Sequence, residues 1–359
     1  MLDDPVVLLV GPRSVGKSTL LSEIAKTRGG RVVDLDDPAT LTAMLADPAT
    51  QIAGDQLVCI DEYQKAPLVL DAIKAELNGG TAPGRFVLTG SARHESLPGA
   101  AQALTGRLDR LEVMPLSQGE IDGVHEDWLE RFLADPDGCV APTLSTTTRE
   151  DYINRIVAGG FPLALRASSD AARTRWLKNH VSLTLARDVA AQTAQVLNIE
   201  KAANDIGLEK NTAARYVSLL EHVFWLYRLP VWGKTLTATK LACRDATALT
   251  EFGHLLETFV VGELKKQASW LPDGQTCGHC RTRDNDEVDF VLERDDGCVV
   301  AIEVKAAGRV AGPELRPLTH LRDKLGEAFL GGAVLYLGQR SFNFEDRIVI
   351  VPVDQLWTK

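Results

Sequence analysis

Short apolar runs alternate with helical patterns at the start of the chain. Residues 6–10, 31–35, 57–60 and 86–88 are dense in Val, Ile and Leu, the composition of strands buried on both faces. Between them, 17–26, 39–46 and 68–77 have helical length and spacing, and 108–114 adds a strand after a loop. Alternation of this kind predicts a doubly wound parallel α/β sheet. Residues 134–150 gather turn formers and a Ser/Thr cluster, so a domain boundary is expected there. Helical spacing then runs from 151 to about 230. Strand signals return at 287–293, 298–304, 333–337 and 348–353, with helices near 250–266 and 313–328, as in a small second α/β domain. The expected domains are 1–135, 150–245 and 246–359.

Composition narrows the class. With 359 residues, 45% hydrophobic and 25% charged, the chain is a folded protein of two or three domains. No apolar run approaches the ~20 residues of a membrane span, and the first residues lack a secretory pattern, so a cytoplasmic protein without membrane contact is expected. Six scattered cysteines suit reduced thiols. Cys277-Gly-His279-Cys280 has no second pair at zinc-site spacing. The net charge of −10 argues against indiscriminate coating of nucleic acid, although the mildly basic stretch 170–245 could meet a phosphate backbone.

The sharpest signal is Gly11-Pro12-Arg13-Ser14-Val15-Gly16-Lys17-Ser18, followed by Thr19. It fits G-x-x-x-x-G-K-[ST] between an apolar strand and a helix. Such a loop turns successive N–H groups toward a phosphate, with the helix dipole behind them. Lys17 would reach the β/γ-phosphates and the Ser18 hydroxyl would bind Mg²⁺. These nine residues are the expected ATP site. Residues 57–60 end in Asp61 and Glu62, placing two carboxylates where ligands collect in open α/β sheets. Asp61 would hold Mg²⁺ through water and Glu62 would act as general base. Thr89 or Ser91, after the next strand, could bond the γ-phosphate or orient the water. Arg107 could reach into a neighbouring subunit's site as an arginine finger.

GPRSVGKSTLL, IDEYQKAP, FVLTGSA and LTGRLDRLEVMPLSQGE, in this order, resemble the AAA-type ATPases of bacteria and archaea that carry a C-terminal domain of unknown function. The likeness continues through Gly159–Pro162, Leu256–Val260, 287–290 and Ile302–Lys305, and so covers nearly the whole chain. Members of that family carry more residues ahead of the phosphate loop and between 240 and 252. The resemblance also implies a winged-helix-like module in the middle segment. Residues 198–221 read as helix, turn, helix, with Ile199, Ala202, Ala203 and Ile206 on one apolar face. A DNA-reading helix would present Lys210, Asn211, Thr212 and Arg215. Trp176, Trp225 and Trp232 read as core or interface anchors.

Residues 287–293, a turn at 294–297 and residues 298–305 read as a β-hairpin. Alternation puts Glu303 and Lys305 on one side of their strand, Asp289 can lie opposite, and Glu257 can join from the preceding helix. The set is similar to PD-(D/E)XK nucleases, in which such acids bind Mg²⁺ and the Lys orients water or stabilises charge. Two readings stay open. In one, ATP switches a DNA-directed nuclease-like module. In the other, ATP state sets homo-oligomerisation and an inactive nuclease fold docks a partner protein.

Overall fold

The computed structural model describes residues 4–80, 82–90, 104, 106–180, 199–200, 211, 214, 217, 226–229, 232, 240–243, 252–272, 274–281 and 287–358. Contacts divide the chain into two units, one built on Met1–Pro115 and the other on Leu116–Ser218 and Leu226–Lys359.

In the first unit β1 (Val6–Val10), β2 (Arg31–Asp34), β3 (Val58–Asp61), β4 (Phe86–Gly90) and β5 (Leu108–Glu112) form one sheet in the order β2-β3-β4-β1-β5. All neighbours are parallel. Parallel strands need crossovers, and α1 (Lys17–Arg28), α2 (Pro38–Ala46), α3 (Pro48–Ile52) and α4 (Val69–Leu77) lie along those connections. Alternate residues serve the two faces of the sheet. Val6, Leu8, Val10, Ile60 and Leu88 join a core with Met44, Ile52, Val69 and Ile73. Val7, Leu9, Cys59 and Val87 pack with Leu21 and Ala25 of α1. Burial on both sides is why β1 reads as an unbroken apolar run.

The second unit opens with α5 (Gln118–Asp122), α6 (Trp128–Ala134), α7 (Arg149–Ala158), α8 (Pro162–Leu165) and α9 (Asp170–His180). A two-stranded antiparallel ribbon follows, β6 (Leu226–Leu229) with β7 (Lys240–Cys243). Then come α10 (Phe252–Ala268), the meander β8 (Gln275–Arg281), β9 (Glu287–Arg294) and β10 (Val299–Lys305), and α11 (Arg316–Leu325). The last strands are β11 (Phe329–Tyr336), parallel to β10, β12 (Phe342–Glu345) and β13 (Ile348–Pro352). The sheet order is β12-β13-β11-β10-β9-β8. Leu256, Val260 and Leu264 of α10 cover one face with Phe290, Ile302 and Leu335. Leu318 and Leu321 of α11 cover the other with Val291, Ala301 and Val334.

The division into units falls before the expected boundary at 134–150. Residues 116–135 pack within the second unit, because Trp128, Leu129 and Phe132 join the α10 core. Polar contacts fix the same corner: Lys266 Nζ donates to the Leu116 carbonyl (3.0 Å) and the Gln118 N–H donates to Glu263 (2.9 Å). The Ser/Thr cluster is tied into the second unit as well. The Ser145 and Thr147 hydroxyls both donate to the buried Asp354 carboxylate at 2.6 Å. β8 went unread in the sequence because Gly278 and His279 break its apolar pattern, and it becomes a strand by pairing with β9. Most of the expected helix-turn-helix, including Lys210, Thr212 and Arg215, lies outside the described residues, as do Ser91 and Trp225.

Candidate nucleotide site and C-terminal cleft

Parallel strands bring their C-terminal ends to one edge of the sheet, and the phosphate loop leaves β1 there. A side chain at Gly11 would meet the Val113 carbonyl oxygen at 2.2 Å, so glycine lets the loop depart beside the chain leaving β5. Ser14 and Gly16 adopt left-handed backbone angles, φ 62° and 106°. Gly16 is the N-cap of α1 and supplies no side-chain cap to this helix of 12 residues. The N-cap thus offers no side-chain acceptor of its own to the first-turn N–H groups, which stand at the positive end of the helix dipole.

Lys17 is 6% exposed, and its Nζ donates to the carbonyls of Gly11 (2.9 Å) and Pro12 (2.8 Å). Burial holds its pKa below the usual lysine value, although the Glu62 and Asp61 carboxylates pull the other way. An ammonium resting on neutral carbonyls can pass to phosphate oxygens without breaking an ion pair. Ser18 and Thr19 are exposed in the first turn.

The two acids are braced by the neighbouring strand. Asp61, 8% exposed, accepts a hydrogen bond from the Thr89 hydroxyl, and Thr89 Oγ1 accepts the Glu62 N–H at 3.1 Å. Thr89 is fully buried and spends its one donor on Asp61. Here it orients the acids, where the sequence suggested contact with phosphate or water. Glu62 stands in a left-handed conformation (φ 54°) before a short 3-10 turn, Tyr63–Lys65, and its carboxylate accepts from Gln64 Nε2. Lys17, Asp61, Glu62 and Thr89 thus gather at one sheet edge. Arg107 does not join them. It precedes Leu108, the register partner of Val6, and so sits at the opposite edge, roughly 13 Å of strand away at ~3.3 Å per residue. It is exposed, and its Nη1 donates to Asn78 at 2.9 Å.

In the second unit, ladder pairing of β9 with β10 runs from Val299↔Glu293 to Ile302↔Phe290. Beyond it, Asp289 Oδ2 accepts the Val304 N–H at 2.9 Å, filling the place of a ladder bond. Lys305 Nζ donates to Glu303 Oε1 at 2.6 Å. Burial works against the Lys305 charge, but Glu303 and Asp289 outweigh it and hold its pKa above the usual value. Glu257, Asp289, Glu303 and Lys305 line one cleft of about 550 Å³, with His254, Glu287 and Arg316. The four residues expected together are therefore adjacent. Among the described residues, however, no group of three or more His, Cys, Asp or Glu is arranged to hold a metal ion. In this arrangement an amide contact engages Asp289 and an ion pair engages Glu303, the two acids expected to hold a nuclease-type Mg²⁺. Sequence reasoning missed His254, Glu287, Arg316 and Gln64. Of these, Glu287 and Gln64 lay inside motifs already noted.

An AAA domain stands at the N-terminus. Residues 3–122 match the family model of that description. Residues 252–356 match a domain of unknown function, DUF4143, and residues 189–245 a second one, DUF8612. Two curated relatives, the uncharacterized proteins Mb2031c of Mycobacterium bovis and Rv2008c of Mycobacterium tuberculosis, are each 25% identical over 379 aligned residues. The alignment covers 99% of this chain and 81% of each relative. Among solved structures, the Thermotoga maritima RuvB Holliday junction branch migration motor is 18% identical with a TM-score of 0.26, covering 63% of this chain and 82% of that one. The Thermococcus gammatolerans McrB AAA+ hexamers with bound McrC are 11% identical with a TM-score of 0.22, covering 47% and 46%. Outside the AAA domain as inside it, no described helix is long and apolar enough to cross a membrane.

Proposed function

We propose that the first unit binds ATP with Mg²⁺ and hydrolyses it, and that the nucleotide cycle switches the C-terminal domain. The observation that carries the ATPase reading is the gathering of Lys17, Asp61 and Glu62 beside an uncapped helix N-terminus. The loop residues Gly11 to Thr19 would take the phosphates, with Lys17 on the β/γ oxygens. Mg²⁺ uses few protein ligands besides substrate phosphates, so one hydroxyl (Ser18) and one braced carboxylate (Asp61) suit it. When bound, the ion neutralises charge building on the phosphate oxygens. Glu62 would take the proton of the attacking water. Arg107, at the far edge, is too distant for its own site and would serve a neighbouring copy, so the working form is a homo-oligomer.

For the C-terminal domain, a helix, a three-stranded meander, a crossover helix and a parallel strand carry the acid–lysine cleft, which supports a nuclease-like, DNA-directed module. The Glu303–Lys305 ion pair and the Asp289–Val304 bond favour the second reading, a cleft that docks a partner protein. A cytoplasmic site of action suits either. The ATPase reading is tested by Glu62→Gln, which should keep ATP·Mg²⁺ bound and slow phosphate release ~10²-fold or more. Normal turnover by that variant would mean another residue activates the water.

A further inference from the structure

The segment that follows Asp61 is built to point Glu62 in one direction. A left-handed backbone is costly for a non-glycine residue, and the surroundings over-determine it. The Glu62 N–H is held by Thr89, the Glu62 carbonyl accepts the Lys65 N–H at 2.9 Å, and the Tyr63 ring, 1% exposed, is seated in the core. The tight turn brings Gln64, two residues on, back to the Glu62 carboxylate, where Nε2 donates to Oε2. The end of β4 makes room for it: a Cβ at Gly90 would lie 3.0 Å from Tyr63 Cε1 and 3.3 Å from Gln64 Oε1. The next side chain, Lys65, is turned onto Asp36, so a neutral amide is the donor fixed on this acid by its own turn.

We infer that Gln64 is a positioning residue for ATP hydrolysis, whose side-chain amide holds Oε2 of Glu62 and so sets the orientation of its carboxylate toward the attacking water. The inference rests on the ATPase reading and deepens it. A carboxylate rotates freely about its last torsion, and either oxygen can then face the water or turn away. Anchoring one oxygen removes that freedom before substrate arrives, so orientation is set in advance. In the step itself, the water oxygen bonds to the γ-phosphorus as the bond to the β–γ bridging oxygen breaks. ADP leaves with that electron pair, and the water's proton passes to the Glu62 carboxylate. Gln64 neither gives nor takes a proton in this step and need not touch ATP.

The test uses the full-length protein and Gln64→Met, which keeps the length of the side chain and removes the donor. Turnover should fall about 10- to 100-fold. KM for ATP and the affinity for a fluorescent ATP analogue should stay within about twofold, since binding groups are untouched. In the Glu62→Gln background, Gln64→Met should add no further loss, because the carboxylate it serves is already gone. Gln64→Glu, which keeps the shape but offers no amide, should show the same loss of turnover and guards against a folding defect peculiar to Met. Unchanged turnover in both variants, or a full additional loss in the double mutants, overturns the positioning role while the ATPase reading stands. A wild-type protein that never releases phosphate from ATP removes the ATPase reading and this inference with it.

Discussion

The molecule holds two clusters of carboxylates around a lysine, and they are held in opposite ways. In the AAA domain, Lys17 rests on backbone carbonyls, while Asp61 and Glu62 accept from the neutral donors of Thr89 and Gln64. In the C-terminal cleft, Lys305 is paired with Glu303, and Asp289 is bound to a backbone amide. The first arrangement keeps charge available. A phosphate can displace two neutral carbonyls from an ammonium, and a cation can join Asp61, which accepts its hydrogen bond from a neutral hydroxyl. In the second, Lys305 is already paired with Glu303, so a ligand that draws on either charge must break a part-buried ion pair before it binds. Equal inventories of residues therefore do not make equal sites. What matters is which partner each charge has at rest.

The largest effect that could break this comparison comes from the lysines. Lys17→Ala should cut affinity for ATP about 100-fold or more and abolish turnover, since the β/γ-phosphates lose their fixed cation. Lys305→Ala should leave ATP kinetics at wild-type values while lowering stability by about 1–3 kcal/mol, through loss of the Glu303 ion pair. Nucleotide titration and urea unfolding of both variants would show whether the two lysines really divide in this way.

Next in size is Arg107. If it completes a neighbour's site, Arg107→Ala should lose about tenfold or more of turnover, and specific activity should rise with protein concentration. Mixing Arg107→Ala with Lys17→Ala subunits should restore part of it. Concentration-independent activity of a monomer would leave Arg107 with its surface bond to Asn78.

The cleft itself is probed by cleavage. A nuclease-like module should cut DNA with Mg²⁺ or Mn²⁺, and Asp289→Ala should end cutting without slowing ATP hydrolysis. No cleavage of linear, supercoiled or single-stranded DNA, with ATP, ADP or neither, would place the domain with the docking reading.

The smallest effect comes from another buried acid held by neutral donors, Glu126. Burial raises the pKa of Glu126, against the bonds it accepts from the Ser117 hydroxyl and the Gly119 N–H. A carboxyl with a raised folded pKa contributes stability that is fully present below its unfolded value and lost as pH rises through the folded one. Glu126→Gln should therefore remove a small decline in stability on going from acidic to neutral pH, read as unfolding midpoints at the two pH values.

Much of the nucleotide site was legible from residue order, because a phosphate loop is a local device. Its glycines, lysine and serine lie within a single turn of chain, and Asp61 and Glu62 follow an apolar run that could only be a buried strand. The resting partner of Thr89 was not legible for a physical reason. Its hydroxyl belongs to β4, and only the register of β3 beside β4 shows that its donor is spent on Asp61. Gln64 was printed in the motif, but nothing in linear order says that a left-handed Glu62 folds the turn back so that residue 64 meets residue 62.

By itself the sequence determined the parallel sheet of the AAA domain, the loop that would cradle phosphate, and the hairpin that pairs Asp289 with Glu303 and Lys305. All of these follow from periodicity and short-range spacing, which act within one or two elements. Tertiary structure alone decided that residues 116–135 belong with α10, that the Ser/Thr cluster closes on Asp354, and that Arg107 faces away from its own phosphate loop. It also decided which resting partner each buried charge would take. Those outcomes depend on groups distant in sequence, among them Glu263, Asp354 and Asn78, whose positions no local pattern encodes.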